Sequence, residues 1–209
     1  MTVVYIWFPG DPKRTDWFHR ISGHAALRAG RTYCSFWPDM KNMGKEKVAK
    51  GLFSSAPANF SRISHELDLK GMGYKNDESV DIEGLDEASV IAAWKKLKKS
   101  GISYRLLETN CCTVTNYLLN VSFQATALGV EIMATDTPVR PDTKYLHLIL
   151  NASSSPTLNP GMGLPTVTPS VTMSFALLVK NALSGFPWSE SEIFRFVKQR
   201  RREAGVWGA

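Results

Sequence analysis

The pattern of apolar and polar positions at the start of the chain predicts three strands. Residues 3–8 form an apolar run that ends at Pro9-Gly10, which is typical of a buried strand followed by a turn. Residues 23–38 alternate in polarity on either side of Ala29-Gly30 and predict a β-hairpin. This part of the chain therefore favours an antiparallel sheet.

The position of the hairpin turn predicts which side chains lie together. A turn centred on Ala29-Gly30 places Leu27 opposite Thr32 and His24 opposite Ser35. Directly opposed side chains share a face of the sheet, so Ser35 is expected beside the imidazole of His24. Cys34 is expected on the other face, because successive residues of a strand alternate.

Two later segments also read as strands. One contains Ile63, Leu67 and Leu69, which alternate with polar residues as in a strand. The nearby His65 is interpreted as structural. Residues 145–150 predict a further strand that carries His147.

Helical periodicity predicts four helices. Residues 86–99 carry an apolar stripe behind an aspartate cap, and a second helix begins at Cys111. Residues 169–183 and 189–204 predict two closing helices, the latter with a Ser-x-x-Glu capping box. Together with the strands, these helices predict an α+β fold.

Composition indicates one globular domain. Apolar residues make up 44% and charged residues 21% of the 209 positions, which is ordinary for a folded protein. We expect a single domain over residues 1–209, with a core over about 1–150 and a C-terminal helical extension over about 169–205.

Charge and cysteine content narrow the expected partners and compartment. The net charge of +6 favours contact with an anionic surface. No nucleic acid is expected, because the lysines within 95–99 lack the interleaved aromatic residues of such sites. Three cysteines cannot build a regular disulfide framework, which favours a reducing compartment or a functional thiol. The first residues show no Sec signal and no membrane span, so a cytoplasmic location in the producing cell is expected.

The junction before the second helix carries the candidate chemistry. Cys111 and Cys112 lie at the predicted helix start, where free N–H groups and the helix dipole favour a thiolate. Only one of them can face a given partner, because adjacent helical positions point about 100° apart. His24 is the candidate base and Ser35 the group that orients it, while His147 is an alternative base.

Other interpretations of these residues stay open at this point. Trp17, Trp37 and Asn110 are candidates for the wall of a substrate cleft, although aromatic residues more often pack in the core. All three cysteines could equally be packing residues. No cofactor is expected, and the cysteines and histidines lack the spacing of metal ligands.

The ordered blocks resemble a known family. The blocks are Gly23-His24-Ala25-Ala26-Leu27, then Tyr33-Cys34-Ser35-Phe36-Trp37-Pro38, then Asn110-Cys111-Cys112-Thr113-Val114. Their order is similar to that of circularly permuted papain-like hydrolases of the NlpC type and the lecithin:retinol acyltransferase type. Among these, bacterial effector domains delivered by type VI secretion are most similar. The resemblance implies an antiparallel sheet packed against the cysteine-bearing helix, with additional C-terminal helices.

The resemblance also implies how the site works. It favours Cys111 as the nucleophile, because Cys111 directly follows Asn110, although family members commonly carry a small hydroxyl residue where Cys112 stands. His24 would act as the base, Ser35 would orient it, and the N–H groups of Cys111 and Cys112 would stabilise an oxyanion. The reaction would pass through an acyl-enzyme.

Three functions follow as expectations. The first is a toxin-like amidase or peptidase that acts on bacterial cell-wall peptides, with a cognate immunity protein and a specialised secretion apparatus as partners. The second is a lipid acyl hydrolase or acyltransferase. The third is a non-catalytic module that binds an anionic surface through the lysines within 95–99 and through Arg200–Arg202.

Overall fold

The computed structural model describes residues 1–9, 22–39, 55–106, 109–133, 167–184 and 188–205. Its strands are β1 (Thr2–Trp7), β2 (His24–Ala29), β3 (Thr32–Ser35), β4 (Trp37–Pro38), β5 (Ala56–Asn59), β6 (Glu78–Ile82) and β7 (Ser103–Tyr104). Its helices are α1 (His65–Met72), α2 (Glu87–Lys99), α3 (Cys111–Met133), α4 (Pro169–Ser184) and α5 (Glu190–Glu203). The described residues therefore form an α+β fold, as the sequence predicted.

Two antiparallel sheets organise the strands. The larger sheet has the order β3-β2-β1-β6, and the smaller has the order β4-β5-β7. The predicted strand at residues 3–8 corresponds to β1. Strand β6 was not predicted from the sequence, and the strand predicted at 145–150 lies outside the described residues.

The predicted hairpin register is wrong by two residues. Ala29 lies opposite Thr32, so the turn is formed by Gly30 and Arg31. Gly30 has a φ of 55°, as in two-residue hairpin turns that place glycine first. Ser35 lies opposite Ala26 rather than His24. A shift of two residues preserves the faces of the strands, so Ser35 still lies on the same side as His24.

The segment predicted as a strand around Ile63 and Leu67 forms α1 instead. The Ser64 hydroxyl caps this helix by accepting from the N–H of Leu67 at 3.3 Å. Gly73 ends it in the left-handed conformation, with a φ of 75°. These end groups, together with acidic residues in the first turn, outweigh the short apolar alternation.

Other helix predictions are confirmed. Asp86 caps α2 by accepting from the N–H groups of Ala88 and Ser89. Ser189 and Glu192 form the capping box of α5. In α3, the helix continues past Gly129 to Met133.

The two faces of the larger sheet bury different sets of side chains. One face packs against α3 and α4, and Ala25 and Leu27 of β2 belong to this main core. The other face carries a smaller cluster, which consists of Trp7, Ala26, Tyr33, Trp37 and Met72. Because Met72 belongs to α1, this helix covers the second face. Among the described helices, none combines the length and apolar character needed to cross a bilayer.

Candidate active site

Four elements bring the predicted site residues together. Cys111 opens α3, His24 opens β2, and Ser35 ends β3. Asp68, in the middle of α1, joins them although the sequence analysis did not identify it. All four side chains are buried, and Asp68 is fully inaccessible.

Asn110 fixes the start of the cysteine helix. Its Oδ1 accepts from the backbone N–H of Thr113 at 2.9 Å and from the hydroxyl of the same residue at 3.2 Å. Its Nδ2 donates to the carbonyls of Leu106 at 2.9 Å and Val167 at 3.0 Å. The amide thus holds the helix start and ties it to the chain before α4. Its role as a cleft wall stays a prediction.

The imidazole of His24 is held at one nitrogen. Nε2 lies 3.1 Å from Ser35 Oγ and 3.3 Å from Asp68 Oδ2. The ring also packs on Trp37, with the ring centroids 4.1 Å apart. Ser35 is therefore next to His24, as predicted, but it shares the orienting position with a carboxylate.

Asp68 is the centre of a buried hydrogen-bond network. Its Oδ2 accepts from the hydroxyl of Tyr33 at 2.7 Å, and its Oδ1 accepts from Trp37 Nε1 at 2.9 Å. The guanidinium of Arg62 lies 3.6 Å from Oδ1 and 3.6 Å above the Trp37 ring. A buried carboxylate with these partners can hold the charge that orients a histidine.

The sequence did contain a signal for Asp68. Ser64 followed by Glu66 and Asp68, with Lys70 and then Gly73, has the charge and capping order of a helix. In such a helix Asp68 and Met72 share a face, since they are four residues apart. The alternation of Ile63, Leu67 and Leu69 obscured this pattern.

Trp37 is part of the network rather than an open surface. It is 5% exposed, and its Nε1 also donates to Ser35 Oγ at 2.7 Å. Trp37 thus binds both groups that contact His24 Nε2.

The electrostatics of the site favour an ion pair between Cys111 and His24. Burial alone would lower the pKa of His24, but the charges of Cys111 and then Asp68 raise it to about 9. A hydrogen bond with Cys112 lowers the pKa of Cys111 well below its ordinary value, and the charge and hydrogen bond of His24 lower it further against the effect of burial. The thiolate and the imidazolium therefore stabilise each other.

Asp68 remains ionised beside this pair. Burial by itself would raise its pKa, but the charge and hydrogen bond of His24, with hydrogen bonds from Ser35 and Tyr33, lower it to about 2. The carboxylate therefore keeps its charge at neutral pH and stabilises the imidazolium.

The two adjacent cysteines have different surroundings. Burial and the neighbouring Cys111 raise the pKa of Cys112 well above its ordinary value, so Cys112 stays a thiol. Burial, followed by the charge of Cys111, raises the pKa of Tyr104, and its hydroxyl forms a hydrogen bond with Cys111. Cys111 is thus the cysteine that faces His24.

Two candidates from the sequence cannot be placed. Trp17 and His147 lie outside the described residues. Within the described ranges, no group of three or more His, Cys, Asp or Glu side chains could hold a metal ion. Comparisons with protein-family models, curated proteins and solved structures found no match to this chain.

Proposed function

We propose that the protein is a cysteine-dependent hydrolase in which Cys111 is the nucleophile and His24 the general acid and base. The observation that carries this proposal is the buried line of contacts from Cys111 through His24 to Asp68. A thiolate, an imidazolium and an orienting carboxylate in this order are what thiol hydrolysis of an acyl compound needs.

The first half of the reaction breaks the substrate bond. The Cys111 thiolate attacks the carbonyl carbon, and the oxygen becomes an oxyanion. We assign proton exchange to Nδ1 of His24, because Nε2 is held by Ser35 and Asp68. This nitrogen gives its proton to the leaving amine as the carbon–nitrogen bond breaks, which leaves a thioester on Cys111.

The second half restores the ion pair. His24, now neutral, takes a proton from water while the water oxygen attacks the thioester. The acid product leaves, and Cys111 returns to the thiolate beside the imidazolium. Asn110 already accepts from the N–H of Thr113, so we assign the oxyanion to the N–H groups of Cys111 and Cys112.

The resemblance supports the choice of substrate. A cysteine helix packed against an antiparallel sheet that carries the histidine supports a permuted papain-like arrangement. On this basis we propose cell-wall peptide amides as substrates of a delivered effector, with an immunity protein and a secretion apparatus as partners. Contact with an anionic wall polymer would agree with the net charge of +6.

One observation favours a second candidate, a lipid acyl hydrolase or acyltransferase. The Cys111 side chain belongs to the main apolar core, which also contains Val114 and Leu118 of the same helix. Cys111 is only 4% exposed, so a substrate reaches the sulfur only when neighbouring side chains move apart. An acyl chain would replace the apolar contacts that are lost in this opening.

The test compares the wild type with Cys111→Ala and His24→Ala. Each protein is incubated with purified peptidoglycan fragments and with phospholipid vesicles, and released amino groups or fatty acids are measured. Loss of release in both variants, with folding retained, is expected. Full activity of Cys111→Ala would refute the proposal, and the substrate that reacts decides between the two candidates.

Alkylation by iodoacetamide, read by mass spectrometry of the peptides, gives a second readout with a control inside the chain. Cys34 is 2% exposed and Cys111 4% exposed, so accessibility alone predicts similar slow labelling. Burial raises the pKa of Cys34 to about 12, whereas the pKa of Cys111 is lowered. Faster labelling of Cys111 near neutral pH would therefore report its thiolate. Equal slow labelling of both would count against the enzyme.

A further inference from the structure

The sulfur atoms of Cys111 and Cys112 are in contact. Their Sγ atoms lie 4.0 Å apart, and both side chains are buried. Adjacent side chains on a helix diverge by about 100°, so a contact between the two sulfur atoms depends on how both side chains are oriented.

A residue from another helix holds Cys112 in place. The hydroxyl of Thr172, in α4, donates to the backbone carbonyl of Cys112 at 3.5 Å. Thr172 is fully buried. Cys112 is therefore fixed on one side by α4 and on the other by the sulfur of Cys111.

The protonation of the two cysteines sets the direction of the contact. Burial and the neighbouring Cys111 keep the pKa of Cys112 high, so Cys112 carries the proton. The hydrogen bond between Cys112 and Cys111 is the largest of the influences that lower the pKa of Cys111. Where Cys111 is the thiolate of the proposed site, the proton of this 4.0 Å contact belongs to Cys112, and its S–H group donates to the sulfur of Cys111.

We propose that Cys112 is a positioning residue, whose S–H group donates to the Cys111 sulfur and holds it as a thiolate directed at His24, with Thr172 keeping Cys112 in this orientation. The inference rests on the proposed function and deepens it.

A test must distinguish the effect of Cys112 on Cys111 from the effects of the other groups around Cys111. His24 faces Cys111 from β2, and the hydroxyl of Tyr104 faces it from β7. Asp68, in α1, contacts the imidazole of His24. The variants at Cys112, Thr172 and Cys34 therefore leave His24, Tyr104 and Asp68 unchanged.

The experiment titrates the ultraviolet absorbance of the thiolate, which needs no access of a reagent to the buried sulfur. The signal of Cys111 is the difference between each protein and the same protein with Cys111→Ala. Cys112→Ala removes the donor, whereas Cys112→Ser keeps a hydroxyl donor at the same position. Cys34→Ala is the control, since Cys34 is an equally buried cysteine in β3.

We expect the midpoint of the Cys111 titration to move to higher pH in Cys112→Ala and to return toward the wild-type value in Cys112→Ser. Below both midpoints, the thiolate fraction should fall about tenfold in Cys112→Ala, the effect of losing one charge-assisted hydrogen bond. Cys34→Ala should leave the midpoint unchanged. An unchanged midpoint in Cys112→Ala would overturn the proposal.

Two further variants keep the outcome interpretable. If Cys112→Ala fails to fold, Thr172→Val tests the same orientation, because it removes the hydroxyl and keeps the side-chain shape. A smaller upward shift of the midpoint supports the proposal, and no shift contradicts it. His24→Ala reports on the proposed function separately: a midpoint that does not move in this variant rejects the thiolate–imidazolium pair, whatever Cys112→Ala shows.

Discussion

Asp68→Asn is the most informative single change, because it removes the charge of the carboxylate and keeps its shape. In the wild type, Asp68 accepts from the hydroxyl of Tyr33 and from Nε1 of Trp37, and it lies 3.3 Å from Nε2 of His24. An asparagine side chain would place the two N–H donors of its amide among groups that themselves donate to Asp68. The variant therefore loses both the charge and part of the hydrogen bonding.

The pKa of Asp68 gives the scale of the effect. It is lowered from 3.8 to about 2, which corresponds to roughly 2 kcal/mol at 1.36 kcal/mol per pKa unit. Because the folded pKa is the lower one, this stability is present above pH 3.8 and is lost as the pH falls toward about 2. Donors left without an acceptor add to the loss, so we expect Asp68→Asn to cost about 3–5 kcal/mol at neutral pH.

Urea unfolding at neutral pH measures this free energy, and a pH series adds a second readout. The wild type should lose stability between pH 3.8 and about 2, whereas Asp68→Asn should lack this part of the acid loss. Glu66→Gln is the matched control on the same helix, since Glu66 is exposed and pairs with the exposed Lys70. This control should change stability little.

Equal unfolding free energies for the wild type and Asp68→Asn would refute the buried network. If Asp68→Asn does not fold, Tyr33→Phe removes one donor from the same carboxylate. That variant should lose about 1–2 kcal/mol.

Two further predictions concern the ion pair and the strand that carries His24. The raised pKa of His24 stabilises the fold fully below pH 6.5, and this stabilisation is lost as the pH rises to about 9. The lowered pKa of Cys111 stabilises the fold above pH 9.0, the ordinary pKa of a cysteine, and this stabilisation is lost as the pH falls. The two trends oppose each other between pH 6.5 and 9, so the pair should add little slope there, and a steep slope in urea unfolding would speak against it. Gly23 and Gly84 both have positive φ, of 58° and 79°, but only at Gly23 would an added Cβ meet backbone, 2.4 Å from the carbonyl oxygen of Trp7. Gly84→Ala should lower the free energy of unfolding by about 1 kcal/mol, and Gly23→Ala should lower it clearly more. Equal shifts of the thermal unfolding temperature in the two variants would contradict the close approach at Gly23.

The sequence alone determined the features that depend on neighbouring residues. The aspartate cap of α2, the capping box of α5 and the position of Cys111 at a helix start follow from groups within a few residues of each other. The α+β class and the shared side of His24 and Ser35 also follow from local alternation. The prediction that His24 and Ser35 share a side was correct although the predicted register was wrong, because a shift of two residues leaves each side chain on the same face of the sheet.

The tertiary structure decided the partners that complete the site. Asp68 reaches His24 across 44 positions of the chain, and Thr172 reaches Cys112 across 60. No local period can predict such contacts, because they depend on how α1 covers one face of the larger sheet and how α4 packs beside α3 on the other. The same packing distinguishes the two adjacent cysteines: Cys111 faces the imidazole of His24, and Cys112 lies against α4, where the hydroxyl of Thr172 donates to its carbonyl.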